Sequence, residues 1–243
     1  MLWTSTSHNA ARDRSHPINL LRGDHTGAKL DIRPPKPHTR PMSLLTDGIG
    51  STLHDTKRRL LETSLELMLE RGYSGLSVDD VLRRAEISKG SFYHHFQNKQ
   101  DMALQAIDLY TNLGHQLIAE CLQPDGRPAL ERVRTFFEQL SGFYRAQGYL
   151  GCLLGALGQE LSGVNEVFRK KIESCLASLA DGITECLEEA KREGALPAQS
   201  DPGRLANVLL NAWEGAALRS RLLRSPDPLK GVLDFCLTAL PRS

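Results

Sequence analysis

The chain lacks long apolar segments and contains few aromatic residues. Of its 243 residues, 40% are hydrophobic but only 6% are aromatic, and no apolar run approaches the roughly 20 residues that a membrane-spanning helix requires. The N-terminus has no apolar core of the kind that a secretory signal contains. We therefore expect a cytoplasmic protein without a membrane partner, built from helices rich in leucine and alanine.

The cysteines lack the spacing of a metal site or of a disulfide framework. None forms a CxxC pair and none accompanies a histidine cluster, so we expect no metal. Cys175 and Cys186 are predicted on one helix, where a rise of about 1.5 Å per residue separates them by about 16 Å, too far for a disulfide. The thiols are expected to be reduced, as in the cytosol. The five cysteines are Cys121, Cys152, Cys175, Cys186 and Cys236.

The chain also has almost no excess of charge and no motif of an enzyme. Its net charge is +1, so any binding of nucleic acid must come from a local basic patch. There is no phosphate-binding loop, no metal-ligand set, and no pair of nucleophile and base that spacing identifies. We therefore expect a protein that is not an enzyme and that uses no cofactor.

Residues 1–50 differ in composition from the rest of the chain. They contain five prolines and half of the eight histidines, and they show no helical or strand period. This composition predicts a disordered extension. Two alternatives to this prediction are open. The first is that translation starts at Met42, so that residues 1–41 are not part of the protein. The second is that the segment is a basic arm that reaches DNA.

Beyond residue 50 the apolar pattern is helical and no segment alternates like a strand. Three short helices are predicted first, the first of them ending at Gly72 and the next two capped by Ser77 and Ser88. We predict an all-α fold, with a helix-turn-helix domain over residues 51–100 and a larger helical bundle for ligand binding and dimerisation over residues 101–243. The bundle helices are predicted at 99–122, 128–147, 151–161, 164–193 and 202–224, and a last helix follows Pro226 and Pro228 and ends at Leu240.

The segment Ile87–Lys99 has the composition of a helix that contacts DNA. Phe92 and Phe96 lie four residues apart and share one face, which we expect to be buried. Gly90 has no side chain, which allows another backbone to approach closely. Lys99 begins the next helix, where a helix N-terminus and an ammonium group attract anions. The exposed face carries donors for phosphates and base edges, namely Lys89, Ser91, Tyr93, His94 and His95.

Basic residues also stand at the start of the first helix. Lys57, Arg58 and Arg59 lie at the end of the helix where the dipole disfavours cations. A bound phosphate explains this position, and so does a solvated surface. For each exposed residue taken alone, an ordinary surface role is the alternative to DNA contact.

These motifs resemble the DNA-binding domain of TetR-type transcriptional regulators. The resemblance covers about residues 56–102 and rests on Leu76–Val81, Ala85, Ser88–Phe96 and Lys99. It implies an all-helical homodimer that carries two helix-turn-helix modules and binds the half-sites of a palindromic operator in double-stranded DNA. It also implies a C-terminal domain that binds a small-molecule inducer and dimerises through its last two long helices.

The same resemblance implies roles for individual residues. Tyr93, His94 and Lys99 would contact phosphates, and Ser77 would contact the DNA backbone. His95 fits a phosphate contact less well, because its place varies in the family. The residues at or near the bases would be Lys89, Gly90 and Ser91.

The larger domain contains one cysteine in a distinctive position. Cys152 opens an apolar helix, whose dipole lowers a thiol pKa while apolar burial raises it. It is therefore either a reactive thiol or a small buried core residue. The runs Gly151–Leu153, Gln159–Ser162 and Trp213–Leu218 resemble the N-ethylmaleimide-reductase repressor group, whose members sense electrophiles through the cysteine at this place.

This second resemblance implies an effector or redox site at Cys152, Trp213 and Arg221. In that group a lysine assists the cysteine. Arg221 stands at its place, and arginine stays charged and cannot act as a neutral amine. For Trp213 the alternative is packing in the core or the dimer interface, and the other four cysteines are expected to be packing residues.

The leading hypothesis is a dimeric repressor that is released from its operator by a small molecule or by thiol modification. A conventional apolar-effector sensor is the alternative within the family. A helix-turn-helix that acts as a protein-interaction module, without regulated release of DNA, is the alternative from another class.

Overall fold

The computed structural model describes residues 55–239, and within that range the chain forms nine α-helices and no strand. This confirms the predicted all-α fold. The expectations for residues 1–50, including the start at Met42 and the basic arm, lie outside the described residues. No helix in this range is long and apolar enough to span a bilayer. The helices are α1 (Asp55–Arg71), α2 (Val78–Ala85), α3 (Lys89–His95), α4 (Lys99–Cys121), α5 (Ala129–Ala146), α6 (Leu153–Leu161), α7 (Glu166–Arg192), α8 (Pro202–Leu223) and α9 (Asp227–Ala239).

Side-chain caps fix the starts of α2 and α3. The Ser77 hydroxyl accepts a hydrogen bond from the Asp80 backbone N–H (3.1 Å) and donates one to Asp80 Oδ2 (2.6 Å). The Ser88 hydroxyl accepts from the Ser91 N–H (3.4 Å). Each cap satisfies an N–H that has no partner within its helix. Glu86 ends α2 in the left-handed conformation (φ 55°), which turns the chain into α3.

Helices α1, α2 and α3 form the reading head, and its interior is aromatic beneath α3. Phe92 and Phe96 are almost completely buried, and their ring centroids are 5.4 Å apart. A helix of only seven residues has little intrinsic stability, so this packing keeps α3 in place. The buried face that the spacing of the two phenylalanines predicts is the one observed.

The three basic residues at the start of α1 have partners inside the reading head. Arg59 Nη2 donates to the Ala85 carbonyl at the end of α2 (2.6 Å), and Arg58 pairs with Glu62 (2.8 Å). Lys57 Nζ lies 5.7 Å from the centroid of the Phe96 ring. These contacts explain the basic start of α1 without a bound phosphate.

The remaining helices, α4 to α9, form the bundle, in which α7 packs on α8, α8 on α9, and α4 and α5 on α7. A buried arginine ties three segments together. Arg132 of α5 donates to the Leu122 carbonyl after α4 (2.6 Å) and pairs with Glu189 of α7 (2.6 Å). Its side chain has no exposed surface. A buried charge is tolerated only when it is paired in this way.

Candidate DNA interface and effector cavity

The face of α3 opposite the two phenylalanines is open to solvent. Tyr93 is 57% exposed, and Lys89 and His94 are exposed as well. The Tyr93 ring meets the buried Phe92 ring edge-on, with centroids 5.1 Å apart. A Cβ atom at Gly90 would meet nothing within 4 Å. The surface therefore presents donors around a gap wide enough for a close backbone approach.

The other polar residues of this surface have weak or local partners. Lys89 Nζ lies 4.0 Å from Asp79 Oδ1, and both side chains are largely exposed. An exposed pair at this distance contributes little to stability, so the lysine is available to a stronger anion. The Ser91 hydroxyl lies 3.1 Å from the Ser88 hydroxyl. Ser77 is exposed, but its hydroxyl is used by the cap of α2.

Lys99 lies where the reading head meets the bundle. Its ammonium stands 4.2 Å from the centroid of the Tyr73 ring, a cation–π contact. Burial lowers the pKa of Lys99, and the negative charge of Glu160 opposes that effect. The lysine that starts α4 therefore faces a tyrosine of the reading head and a carboxylate of the bundle.

Glu160 near the end of α6 binds the turn after α1 directly. Its carboxylate accepts from the Tyr73 N–H (2.8 Å) and the Ser74 N–H (2.6 Å). Burial raises the pKa of Glu160, whereas these hydrogen bonds and the charge of Lys99 lower it. The lowering effects are larger together, so the pKa of Glu160 lies below its ordinary value. Gly72 has φ +75°, and a Cβ there would collide with the carboxylate. The absence of a side chain at Gly72 therefore leaves room for the Glu160 carboxylate.

A cavity of about 390 Å³, partly open to solvent, lies among helices α4 to α8. This is within the usual range for a small-molecule site. Most of its wall is apolar, with Phe136, Leu140 and Leu154 among the lining side chains. A polar cluster lies at the N-terminus of α6 and consists of Tyr110, Tyr144, Cys152 and Glu214.

Cys152 occupies the N-cap position of α6 and is buried. The Tyr110 hydroxyl lies 4.0 Å from its Sγ and accepts a hydrogen bond from the Leu153 N–H (3.4 Å). Burial raises the pKa of Cys152 well above its ordinary value, and the charge of Glu214 raises it further. The thiol is therefore protonated at neutral pH. This agrees with the expectation that burial opposes the helix dipole at this position.

Glu214 of α8 is an unusual acid for such a cavity. Burial raises its pKa to about 7, and the hydrogen bond with the Cys152 thiol opposes that rise. A Cβ at position 155 would collide with the Glu214 carboxylate. Gly155 therefore makes the space in α6 into which Glu214 fits beside Cys152.

The other two residues predicted for this site lie in different surroundings. Trp213 is buried, lines the cavity, and packs on Phe137 with ring centroids 4.8 Å apart. Arg221 Nη1 donates to the Leu150 carbonyl (3.1 Å) and thereby holds the turn before Cys152. Cys152 and Trp213 thus share the cavity, whereas Arg221 is not part of its lining.

Four residues at these sites have no role predicted from the sequence. Glu214, Tyr110 and Tyr144 surround Cys152, and Glu160 binds the reading head. One signal was available, because Glu214 follows a buried tryptophan within the run Trp213–Leu218 and a charged residue there is out of place. The two tyrosines carried no such signal.

The open donor face on a small helix-turn-helix, joined to a helical bundle with a ligand-sized cavity, is the architecture of a DNA-binding regulator. Comparison with known proteins narrows the class. Residues 60–106 match the model of the bacterial regulatory proteins of the tetR family, and residues 129–235 match the tetracyclin repressor-like C-terminal domain. The chain belongs to the TetR family of transcriptional regulators.

Two curated relatives cover most of the chain. The transcriptional regulator AcuR of Cereibacter sphaeroides is 36% identical over 70% of this chain and 78% of its own. The repressor NemR of Escherichia coli is 30% identical over 75% of this chain and 92% of its own. Both are named as regulators of transcription.

Solved structures give the same result. A TetR regulatory protein from Rhodobacter sphaeroides superposes with a TM-score of 0.74 at 32% identity, covering 77% of this chain and 100% of that one. The reduced form of E. coli NemR superposes with a TM-score of 0.71 at 28% identity, covering 78% and 99%. The relation of the C-terminal domain to NemR, predicted from the sequence, is confirmed.

Proposed function

We propose that the protein is a dimeric repressor that leaves a palindromic operator when a small electrophile modifies Cys152. The observation that carries this proposal is the placement of Cys152 in the wall of a ligand-sized cavity. Helix α6 begins at the cavity and contacts the reading head near its other end, through Glu160. The similarity to NemR, a repressor whose reduced form has been solved, supports it.

In the proposed complex, α3 of each subunit enters a major groove. Lys89, Gly90 and Ser91 at its N-terminal end lie near the bases. The phosphate contacts come from Tyr93, His94 and Lys99, with Ser77 at the DNA backbone. The exposure of Tyr93, Lys89 and His94 and the open space at Gly90 support this arrangement.

The proposed dimer uses α7 and α8. One side of α8 exposes three large apolar side chains, Val208, Leu218 and Leu222, each at least half exposed. They lie within one face of the helix, which is the pattern of a helix that packs against a partner. The family's use of its last two long helices supports the same surface.

Release requires that the inducer favours one of two conformations of the protein. The proposed path begins at Cys152, which caps α6, and ends at Glu160, which binds the turn after α1. A group added to the Cys152 sulfur enlarges the contents of the cavity, so α6 shifts and carries Glu160 with it. The two reading heads then no longer match the spacing of the half-sites.

The DNA contacts are tested by operator binding at several salt concentrations, using DNA from upstream of the gene. We expect Tyr93→Ala to weaken binding about tenfold, as loss of a good contact does. Lys99→Ala should weaken binding and also reduce the salt slope by about one. Lys230→Ala, which removes an exposed lysine of α9, is the matched control and should leave the slope unchanged. Binding that ignores salt would contradict the proposal.

The thiol is tested by release from the same DNA with N-ethylmaleimide. We expect Cys152→Ser to bind the operator normally and to stay bound after treatment, because the sulfur that reacts is missing. Cys236→Ser, which removes a partly buried thiol elsewhere, should be released like the wild type. Release of Cys152→Ser by a quinone would instead favour an apolar effector that binds without reaction, for which the largely apolar cavity wall is the supporting observation.

A further inference from the structure

The polar end of the cavity contains an acid without a basic partner. Among the described residues, Glu214 forms no ion pair with an arginine or lysine, and the one side chain that bonds with it is Cys152. Structural carboxylates at such depth are normally paired. An acid without a basic partner that hydrogen-bonds to a thiol in the wall of a ligand-sized cavity has the placement of a group that exchanges a proton.

The groups around Glu214 come from each neighbouring helix. Tyr110 of α4 and Tyr144 of α5 share the cavity with it. On the side of α7, a groove that Glu214 also lines includes Arg169 and Glu173. Arg169 is held by two bonds of 2.7 Å to Glu166. Arg221 of α8 is bound to the Leu150 carbonyl.

The geometry points to Glu214 as the proton acceptor that activates the Cys152 thiol toward α,β-unsaturated carbonyl compounds entering the cavity. This inference rests on the thiol branch of the proposed function. It gives the thiol an acid–base partner on α8 in place of the assisting lysine that the family resemblance suggests.

The reaction is a conjugate addition in which every proton and electron pair is accounted for. The S–H bond of Cys152 breaks, and its proton passes to a Glu214 carboxylate oxygen. The sulfur electron pair forms a bond to the β-carbon, while the C=C pair moves to the carbonyl oxygen as an enolate. The proton on Glu214 then passes to the enolate. S–H has been added across the double bond, and Glu214 is a carboxylate again.

Two physical features favour this assignment over a free thiolate. Burial and the charge of Glu214 raise the pKa of Cys152, so thiolate is scarce at neutral pH. Burial raises the pKa of Glu214 to about 7, and a general base works best when its pKa is near the operating pH. The Tyr110 hydroxyl donates weakly to the Cys152 sulfur at 4.0 Å, and this donor can turn to the enolate oxygen once the sulfur has reacted.

The test is the rate at which N-ethylmaleimide alkylates Cys152 in the full-length protein without DNA, followed by peptide mass spectrometry from pH 5.5 to 9. In the wild type, the rate should rise through pH 7 and then level off. Glu214→Gln should react at least tenfold more slowly at pH 7.5, and its rate should keep rising to pH 9. Glu214→Asp, which keeps a carboxylate, should recover part of the rate. Glu131→Gln, which changes an exposed glutamate of α5, is the matched control.

The opposite result has a clear physical meaning. If Glu214 acted only through its charge, its removal would lower the thiol pKa, and Glu214→Gln would react faster than the wild type. An equal or faster rate in Glu214→Gln, with operator binding intact to show that the variant is folded, overturns the inference and leaves the proposed function standing. Absence of Cys152 alkylation in the wild type overturns the thiol branch of the proposed function and this inference together.

Discussion

Glu214 has surroundings unlike those of most helix glutamates, and they affect stability as well as chemistry. Its pKa is about 7 in the folded protein because burial disfavours the charged form. In the unfolded chain a glutamate titrates near 4.3. The folded state therefore binds an additional proton between these two pH values, so stability falls as pH rises through that window.

We expect Glu214→Gln to remove this part of the pH dependence. Each pKa unit corresponds to about 1.4 kcal/mol, and partial exposure of the residue reduces the effect. The wild type should therefore lose about 2 kcal/mol of unfolding free energy, relative to the variant, between pH 4.5 and pH 8. Urea unfolding of both proteins at several pH values and a fixed protein concentration measures this change in unfolding free energy. Parallel stability curves for the two proteins would show that Glu214 is solvated in both states.

Residue roles could be predicted from the sequence where the determining contacts are local. The caps at Ser77 and Ser88 and the packing of Phe92 on Phe96 depend on neighbours within four positions, and all were predicted. The environment of Cys152 depends on Tyr110, on Tyr144 and on Glu214, which come from three other helices. Nothing in the local sequence specifies these long-range contacts, so the acid beside the thiol emerged only from the structure.

At the scale of elements, α6 connects the cavity to the reading head. Its nine residues span about 13 Å, with Cys152 capping one end and Glu160 near the other. Two N–H groups of the turn after α1 bond to the Glu160 carboxylate. Movement of α6 along its axis therefore acts directly on the backbone of the reading head.

We expect Glu160→Gln to weaken the response to the inducer more than it weakens DNA binding. An amide retains one acceptor oxygen and cannot satisfy both N–H groups with a negative charge. The ratio of operator Kd with and without N-ethylmaleimide, about 5- to 150-fold for typical coupling, should fall toward one. Glu131→Gln is again the control. A ratio unchanged in Glu160→Gln would mean that the coupling takes another path.

The helices themselves were predictable because their ends carry local signals. Pro202 lies in the first turn of α8, and Asn165 and Asp201 cap α7 and α8 through side-chain bonds. The bond from Glu160 to the turn after α1 was not predictable. Glu160 is separated from Ser74 by 86 positions and from Tyr73 by 87 positions. No local sequence pattern indicates that these residues are in contact.

At the scale of the whole molecule, the proposed dimer interface is the apolar side of α8. Leu218 is 50% exposed and Leu222 is 65% exposed, which is unfavourable for a surface in water. We expect Leu218→Lys to shift the protein to monomers and to weaken operator binding strongly, because one reading head contacts only one half-site. Sedimentation velocity distinguishes the monomer from the dimer.

The matched control for this change lies on α9. Phe235 is 72% exposed, and it belongs to a different helix from the proposed interface. Phe235→Lys introduces the same charge on an exposed apolar position and should leave the sedimentation coefficient of the dimer unchanged. A dimer that persists in Leu218→Lys and dissociates in Phe235→Lys would place the interface on α9.

The glycine that makes room for Glu214 also affects the energetics of its helix. Within nine residues, α6 contains both Gly155 and Gly158, and each glycine inside a helix costs about 1 kcal/mol relative to alanine. So short a segment is held in helical form by its neighbours rather than by its own backbone preference. Its amide hydrogens should accordingly exchange with solvent deuterium through frequent local openings. The segment that joins the cavity to the reading head can then be reshaped at small cost, which the proposed release by a single small molecule requires.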